Sequence, residues 1–336
     1  MSNQPIIVSA SPHVHSDRTS KTLMYDVVIA LIPAFLVSLY VFGYNALIVT
    51  AAAVISCLLF EYLIQKYLLK TEVTIGDGSA LITGILLAFN LPAGLPVWMV
   101  VVGSLVAIGI AKLSFGGIGY NIFNPALVGR VFLLVSFPVQ MTLWPTAVEN
   151  NTSLMDAVTG ATTLGLIKEG VQFGETMTSL SASIPSAQQM FLGITSGSIG
   201  EMSALALILG GGYLIARKVI SWHIPVTVLA TIAAMTGIFW WIDPEHYANP
   251  LIHVLSGGAI LGAFYMATDL VTSPVTKKGM VIFALGIGVI TVVIRLFGSY
   301  PEGISFAILI MNAFVPLINS YFKPRRFGSR IKAKIM

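Results

Sequence analysis

The chain has 336 residues, 56% of them hydrophobic and only 10% charged, with a mean hydropathy of +0.88. A soluble domain carries roughly 25% charged residues, so this composition excludes a water-soluble globular protein and places the chain in a bilayer. The formal net charge of +4 is small, and its concentration in the carboxyl-terminal tail fits an anchor at an anionic leaflet, not a nucleic-acid surface.

A polar tail over residues 1–23 comes first, unlike a cleaved signal peptide. Ten apolar segments follow at 24–42, 45–66, 79–91, 97–113, 122–138, 201–217, 224–242, 252–267, 279–297 and 303–321. They are read against the roughly 20 apolar residues that a transmembrane helix needs. The third and eighth are short and glycine-bearing, which marks each as a broken or half-length helix. Cys57 sits alone in an apolar run and has no internal disulfide partner; no CxxC or Cys/His cluster suggests iron–sulfur or zinc.

Basic residues set the expected orientation. With the amino terminus in the cytoplasm, Arg18, Lys21, Lys66, Lys70, Arg217, Lys218, Lys277, Lys278 and the tail fall inside, and Lys112 borders that face. Lys168 is the clear basic position outside. The loop 139–200 is therefore extracytoplasmic and both termini are cytoplasmic.

The two halves echo each other. "GSALITGILLAFN" (78–90) resembles "SGGAILGAFYMAT" (256–268), with Gly84 on Gly262, and each is followed by a hydrophobic helix ending in a basic residue and Phe-Gly. Five spans per half make the second half inverted, an architecture recurrent in transporters; chance likeness of glycine-rich helices is the alternative. The predicted fold is an all-α polytopic membrane protein of about ten helices in a 5+5 inverted repeat, with interrupted helices. Its parts are a tail (1–23), a first repeat (24–138), the outer loop (139–200), a second repeat (201–321) and a basic tail (322–336).

"GGIGYNIFNPALVGR" (116–130) is the densest motif. Asn121 and Asn124, three apart, share one face if a helix begins here, and Pro125 suits its first turn. Carboxamides can pair with a heterocycle's imide edge; spacing alone equally allows a helix cap plus an interhelical hydrogen bond. Among charges within spans, Arg130 and Arg295 are the deepest basic ones, and Glu61 and Asp269 lie nearer the cytoplasmic face. Snorkelling or structural pairing is the simpler reading of most of them. His13, His15, His223, His246 and His253 lack metal-ligand spacing.

"DAVTGATTLG" (156–165) lies in the long polar interval. A threonine hydroxyl is a poor nucleophile without a base or metal, and nothing nearby forms a triad. Thr162 suits a modification acceptor on a slim, mobile, exposed segment; the residues alone favour a plain flexible linker.

"DAVTGAT" resembles the D-x-x-[ST]-G-A-T acceptor motif of flavin transferases of the ApbE type, made here by Asp156, Thr159, Gly160, Ala161 and Thr162. Ala157 stands where glycine is common, and Thr159 replaces a serine. "SPHVHSDRTSKTLMYDVVIALIPA" (11–34), "GDGSALITGILLAFNLP" (76–92), "FGGIGYNIFNPALVGR" (115–130), "MATDLVTSPVT" (266–276) and "RLFGSYPEGISFAILIMNAFVPLI" (295–318) resemble the RnfD/NqrB family over nearly the whole chain. The short amino-terminal tail favours the RnfD branch.

The resemblance implies a fold related to urea and ammonium channels, with FMN joined through its phosphate to Thr162. It implies a non-covalent riboflavin near Asn121 and Asn124. It further implies an electron-transfer role in a complex with other Rnf-type subunits (A, B, C, E and G) that couples ferredoxin/NAD redox chemistry to Na⁺ or H⁺ movement in a cytoplasmic membrane. Competing expectations are a solute channel or secondary transporter, the homologous subunit of a Na⁺-translocating NADH:quinone oxidoreductase, and a scaffold without redox activity; fold alone does not choose.

Overall fold

The computed structural model describes residues 19–145, 159–181, 183–193 and 196–323. The first half contains α1 (Ser20–Phe42), α2 (Tyr44–Leu63, continued as a wider helix to Leu69), α3 (Ser79–Phe89), α4 (Val97–Leu105, widening over Val106–Ile110) and α5 (Pro125–Ser136). Thr19 and Thr22 form a reciprocal capping box at the start of α1. Gly43, at φ +58°, ends α1 and opens α2, so one glycine in the left-handed region turns the chain between two spans.

The polar interval holds α6 (Pro138–Thr142), β1 (Trp144–Pro145), β2 (Thr159–Gly160), α7 (Thr163–Gln172), α8 (Met177–Leu180) and α9 (Ala187–Leu192). β1 and β2 pair antiparallel, with Trp144 opposite Gly160. The second half contains α10 (Ala204–Ala216), α11 (His223–Ile242), α12 (Pro250–Leu255), α13 (Ala259–Leu261, widening over Gly262–Met266), α14 (Lys277–Phe297) and α15 (Ile304–Tyr321).

Among the described residues, six helical stretches are long and apolar enough to cross a membrane: Ser20–Phe42, Tyr44–Leu69, Val97–Phe115, His223–Ile242, Lys277–Phe297 and Ile304–Tyr321. The helices α3, α5 and α10 are apolar but shorter. The expected eighth segment is broken at Ser256–Gly258, where Gly257 and Gly258 take φ of +66° and +65°. The chain is thus an all-α polytopic membrane protein, with its one small strand pair, among the described residues, confined to the polar interval.

Small residues let the helices approach closely, as membrane packing demands. A Cβ at Gly210 of α10 would lie 1.9 Å from the Ala30 carbonyl oxygen of α1, so only glycine permits this crossing between the halves. Arg130 of α5 joins the halves through polar contacts. Its guanidinium donates to Asn90 Oδ1 at 3.0 Å and to Ser305 Oγ, and pairs with Glu302. Arg130 and Glu302 are both buried. The reading of this deep arginine as a structural partner agrees with that arrangement.

Candidate functional site

Two places collect the residues singled out from the sequence. The first is the amino terminus of α7. Thr162 takes φ −66° and ψ 159° and caps the helix, its Oγ1 accepting from the Gly165 N–H at 3.1 Å. The Leu166 N–H donates to the Thr162 carbonyl at 2.8 Å, and Ser196 Oγ donates to the Ala161 carbonyl at 2.9 Å. Gly160 and Thr159 supply the strand pairing immediately ahead. Asp156, expected to open the motif, lies outside the described residues.

The expectation of an exposed segment at Thr162 needs correction, because the residue is only 5% exposed. The cap explains why. A short hydroxyl side chain satisfies an orphan N–H of the first turn by folding back over it, and Ser196 closes the turn from the other side. No acidic side chain occupies the first turn of α7. With the Gly165 N–H already taken by Thr162 Oγ1, the remaining first-turn N–H groups and the positive end of the helix dipole would favour an anion placed there.

The second place is a narrow cleft with about 80 Å³ of free volume, partly open at its mouth, among α1, α3, α5, α10 and the segment after α13. Sites that enclose a drug-sized ligand span roughly 300–1,000 Å³, so a flavin ring would fit here only with the cleft opened. Asn121 and Asn124 line it, together with Ser79, Lys112, Tyr265, Thr268 and Asp269 on a mostly apolar wall. The shared helical face is not formed, because α5 begins only at Pro125 and Asn121 stays in the preceding loop.

The two carboxamides also differ in what they have left to offer. Asn124 caps α5, its Oδ1 accepting from the Ala126 and Leu127 N–H groups at 3.1 and 3.4 Å, while its Nδ2 donates to the Met266 carbonyl at 3.3 Å. That is the cap-plus-interhelical arrangement. Asn121 donates to the Phe123 carbonyl at 3.1 Å, and its Oδ1 accepts nothing among the described residues.

The cleft also contains a side chain that the sequence reading placed at the membrane border. Lys112 is 2% exposed, donates to Glu61 Oε1 at 2.7 Å and reaches Ser79 Oγ at 2.6 Å. The signal for this pair was present, since Glu61 and Lys112 lie near the ends of two spans expected on the same face. The two places lie toward opposite ends of the bundle. The cleft reaches Val271, just ahead of α14, whereas α7 meets the far end of that helix through Lys168 and the Gly298 carbonyl. A 21-residue helix is about 30 Å long.

The NQR2, RnfD, RnfE family model matches residues 7–328. The chain is 48% identical to the D component of the Na(+)-translocating ferredoxin:NAD(+) oxidoreductase complex of Acetobacterium woodii, over 98% of this chain and 97% of that protein. It is 45% identical to the D component of the proton-translocating ferredoxin:NAD(+) oxidoreductase complex of Clostridium ljungdahlii, over 96% of each. The D component of the ion-translocating oxidoreductase complex of Halorhodospira halophila is 41% identical, over 95% of this chain and 94% of that one. This chain belongs to the NQR2, RnfD, RnfE family.

Proposed function

We propose that this chain is the RnfD-type electron-transfer component of an ion-translocating ferredoxin:NAD oxidoreductase, carrying FMN esterified through its phosphate to Thr162 Oγ1. The observation that carries the reading is the acceptor motif ending in a threonine that caps a helix free of first-turn carboxylates. Names of relatives 41–48% identical over nearly full length support the complex and its ion-coupled reaction. The other Rnf-type subunits are the partners, and the ion is Na⁺ or H⁺. In this reading the chain lies in a cytoplasmic membrane with both termini inside and residues 139–200 outside.

The flavin ring system supplies the redox chemistry that no side chain here offers. The protein's part is to hold it. The first turn of α7 would offer N–H groups and a positive helix end to the phosphoryl group, and the ester bond would keep the flavin from diffusing away. Since the Thr162 hydroxyl is buried as a cap, a separate flavin transferase of the ApbE type reaches it while this turn is open, before α7 docks. Thr162→Ala is expected to abolish the ultraviolet-excited fluorescence of the denatured band while leaving the membrane domain folded. A fluorescent Thr162→Ala band, or an FMN mass increment on a peptide lacking residue 162, sinks the assignment.

We further propose that the cleft holds a second, non-covalent flavin, with Asn121 offering its free carbonyl oxygen to the ring's imide N–H. Asn124 acts indirectly, by fixing where α5 begins. Asn121→Ala is expected to lower acid-extractable riboflavin, the lost hydrogen bond weakening binding by about 1–3 kcal/mol, and to spare the covalent fluorescence. Full extractable flavin at limiting supply in Asn121→Ala returns the asparagine motif to helix packing.

A further inference from the structure

Lys168 is the clear basic position of the outer loop, and neither the fold nor the attachment at Thr162 accounts for it. It lies six residues along α7 from the cap. Its Nζ donates to the Arg295 carbonyl at 3.4 Å, to the Tyr300 carbonyl at 3.0 Å and to the Gly298 carbonyl. These carbonyls belong to the last turn of α14 and the turn beyond it, the negative end of that helix. The helix's own Arg295 does not neutralise this end, because its guanidinium donates to the carbonyls of His253, Ser256 and Gly257. Partial burial lowers the Lys168 pKa from the ordinary lysine value, so the ammonium is kept in place by its three acceptors, not by full hydration.

Leu164 is one turn back on the same face of α7. It is 4% exposed and reaches the break between α12 and α13. A Cβ at Gly257 would lie 2.4 Å from Leu164 Cδ1 and 2.6 Å from Arg295 Nη2, so the missing side chain of Gly257 is the seat for Leu164. The helix that starts at Thr162 is therefore held twice, by a charge on the end of α14 and by an apolar side chain on a broken span.

We propose that Lys168, with Leu164, is a positioning residue: it clamps the flavin-bearing end of α7 onto the outer end of α14 and so sets the place of the covalent flavin relative to the membrane bundle. The proposal rests on the Thr162 reading. Lys168 spends its donors on carbonyls of the last turn of α14 and the turn beyond it, so it acts on where the flavin sits and leaves its potential alone.

The test uses the whole complex in native membranes, with Lys168→Met and Lys168→Arg. Lys168→Met is expected to keep wild-type in-gel fluorescence and an unchanged midpoint potential of the attached flavin. Amide hydrogen exchange over α7 should accelerate, and ferredoxin-driven NAD reduction should fall on the order of tenfold, since misplacement by an ångström is enough for such losses. Lys168→Arg should recover most of the rate. A wild-type rate or unchanged α7 exchange in Lys168→Met overturns the clamp, as does a shifted flavin potential. Loss of fluorescence in Lys168→Met alone also overturns it, by placing Lys168 in attachment. A wild-type chain without fluorescence refutes the Thr162 reading instead, and the positioning role falls with it.

Discussion

The two halves hold a basic side chain at corresponding places and neutralise it in opposite ways. With Gly84 matched to Gly262, Ser79 falls on Gly257. Lys112, ending the span after α3, reaches Ser79 Oγ at 2.6 Å, and Arg295, ending α14, reaches the Gly257 carbonyl at 3.0 Å. In the first half the target is the amino terminus of α3, a positive helix end. A buried lysine there needs carboxylates, and it has Glu61 directly at 2.7 Å and Asp77 through Ser79, whose Oγ meets Asp77 Oδ1 at 2.6 Å. In the second half the half-helix α12 ends at this point and presents carbonyls, the negative end. Arg295 is satisfied by the His253, Ser256 and Gly257 carbonyls, and no carboxylate is within salt-bridge distance among the described residues. Breaking a span thus replaces an acidic residue with backbone.

The largest test of this contrast is Glu61→Gln. It leaves the Lys112 ammonium buried without its counter-charge, at a cost of about 3–5 kcal/mol, read as a drop in the thermal midpoint of the purified protein in detergent. The double variant Glu61→Gln with Lys112→Met should recover much of that loss; equal destabilisation in both would show that the charge imbalance is not the cause. Arg295→Met comes next, at about 2–4 kcal/mol, because it strips a charged donor from three carbonyls of a buried helix end. A loss larger than that of Glu61→Gln would mean that helix carbonyls do not hold the arginine more gently than an ion pair holds the lysine. Ser79→Ala is the smallest, at about 1 kcal/mol, since Glu61 still faces Lys112. An effect as large as that of Glu61→Gln would make Asp77 the principal counter-charge.

Much of the architecture was legible because a bilayer simplifies the code. Every apolar run had to become a helix that satisfies its own backbone, and the two glycine-bearing short runs became α3 and the broken α12–α13. Pro125 marked the start of α5. The acceptor motif at Thr162 and the family likeness were readable as local strings. The state of the hydroxyl was not, because capping depends on where α7 begins and on Ser196, whose hydroxyl reaches the Ala161 carbonyl from 35 residues downstream. Asn121 and Asn124 looked equivalent in spacing, yet the Met266 carbonyl, 142 positions away, engages one carboxamide and leaves the other's oxygen free.

By itself, then, the sequence determined that the chain is a polytopic helical membrane protein and which strings resemble a flavin-acceptor motif and an asparagine motif. Those properties follow from hydropathy and from neighbours within a few residues. The tertiary structure decided which charges are paired, which carboxamide remains available and what Lys168 grips. A side chain buried away from water must find its partner wherever the helices bring one, and the partners of Lys112, Arg130, Lys168 and Arg295 lie 33 to 175 positions away along the chain.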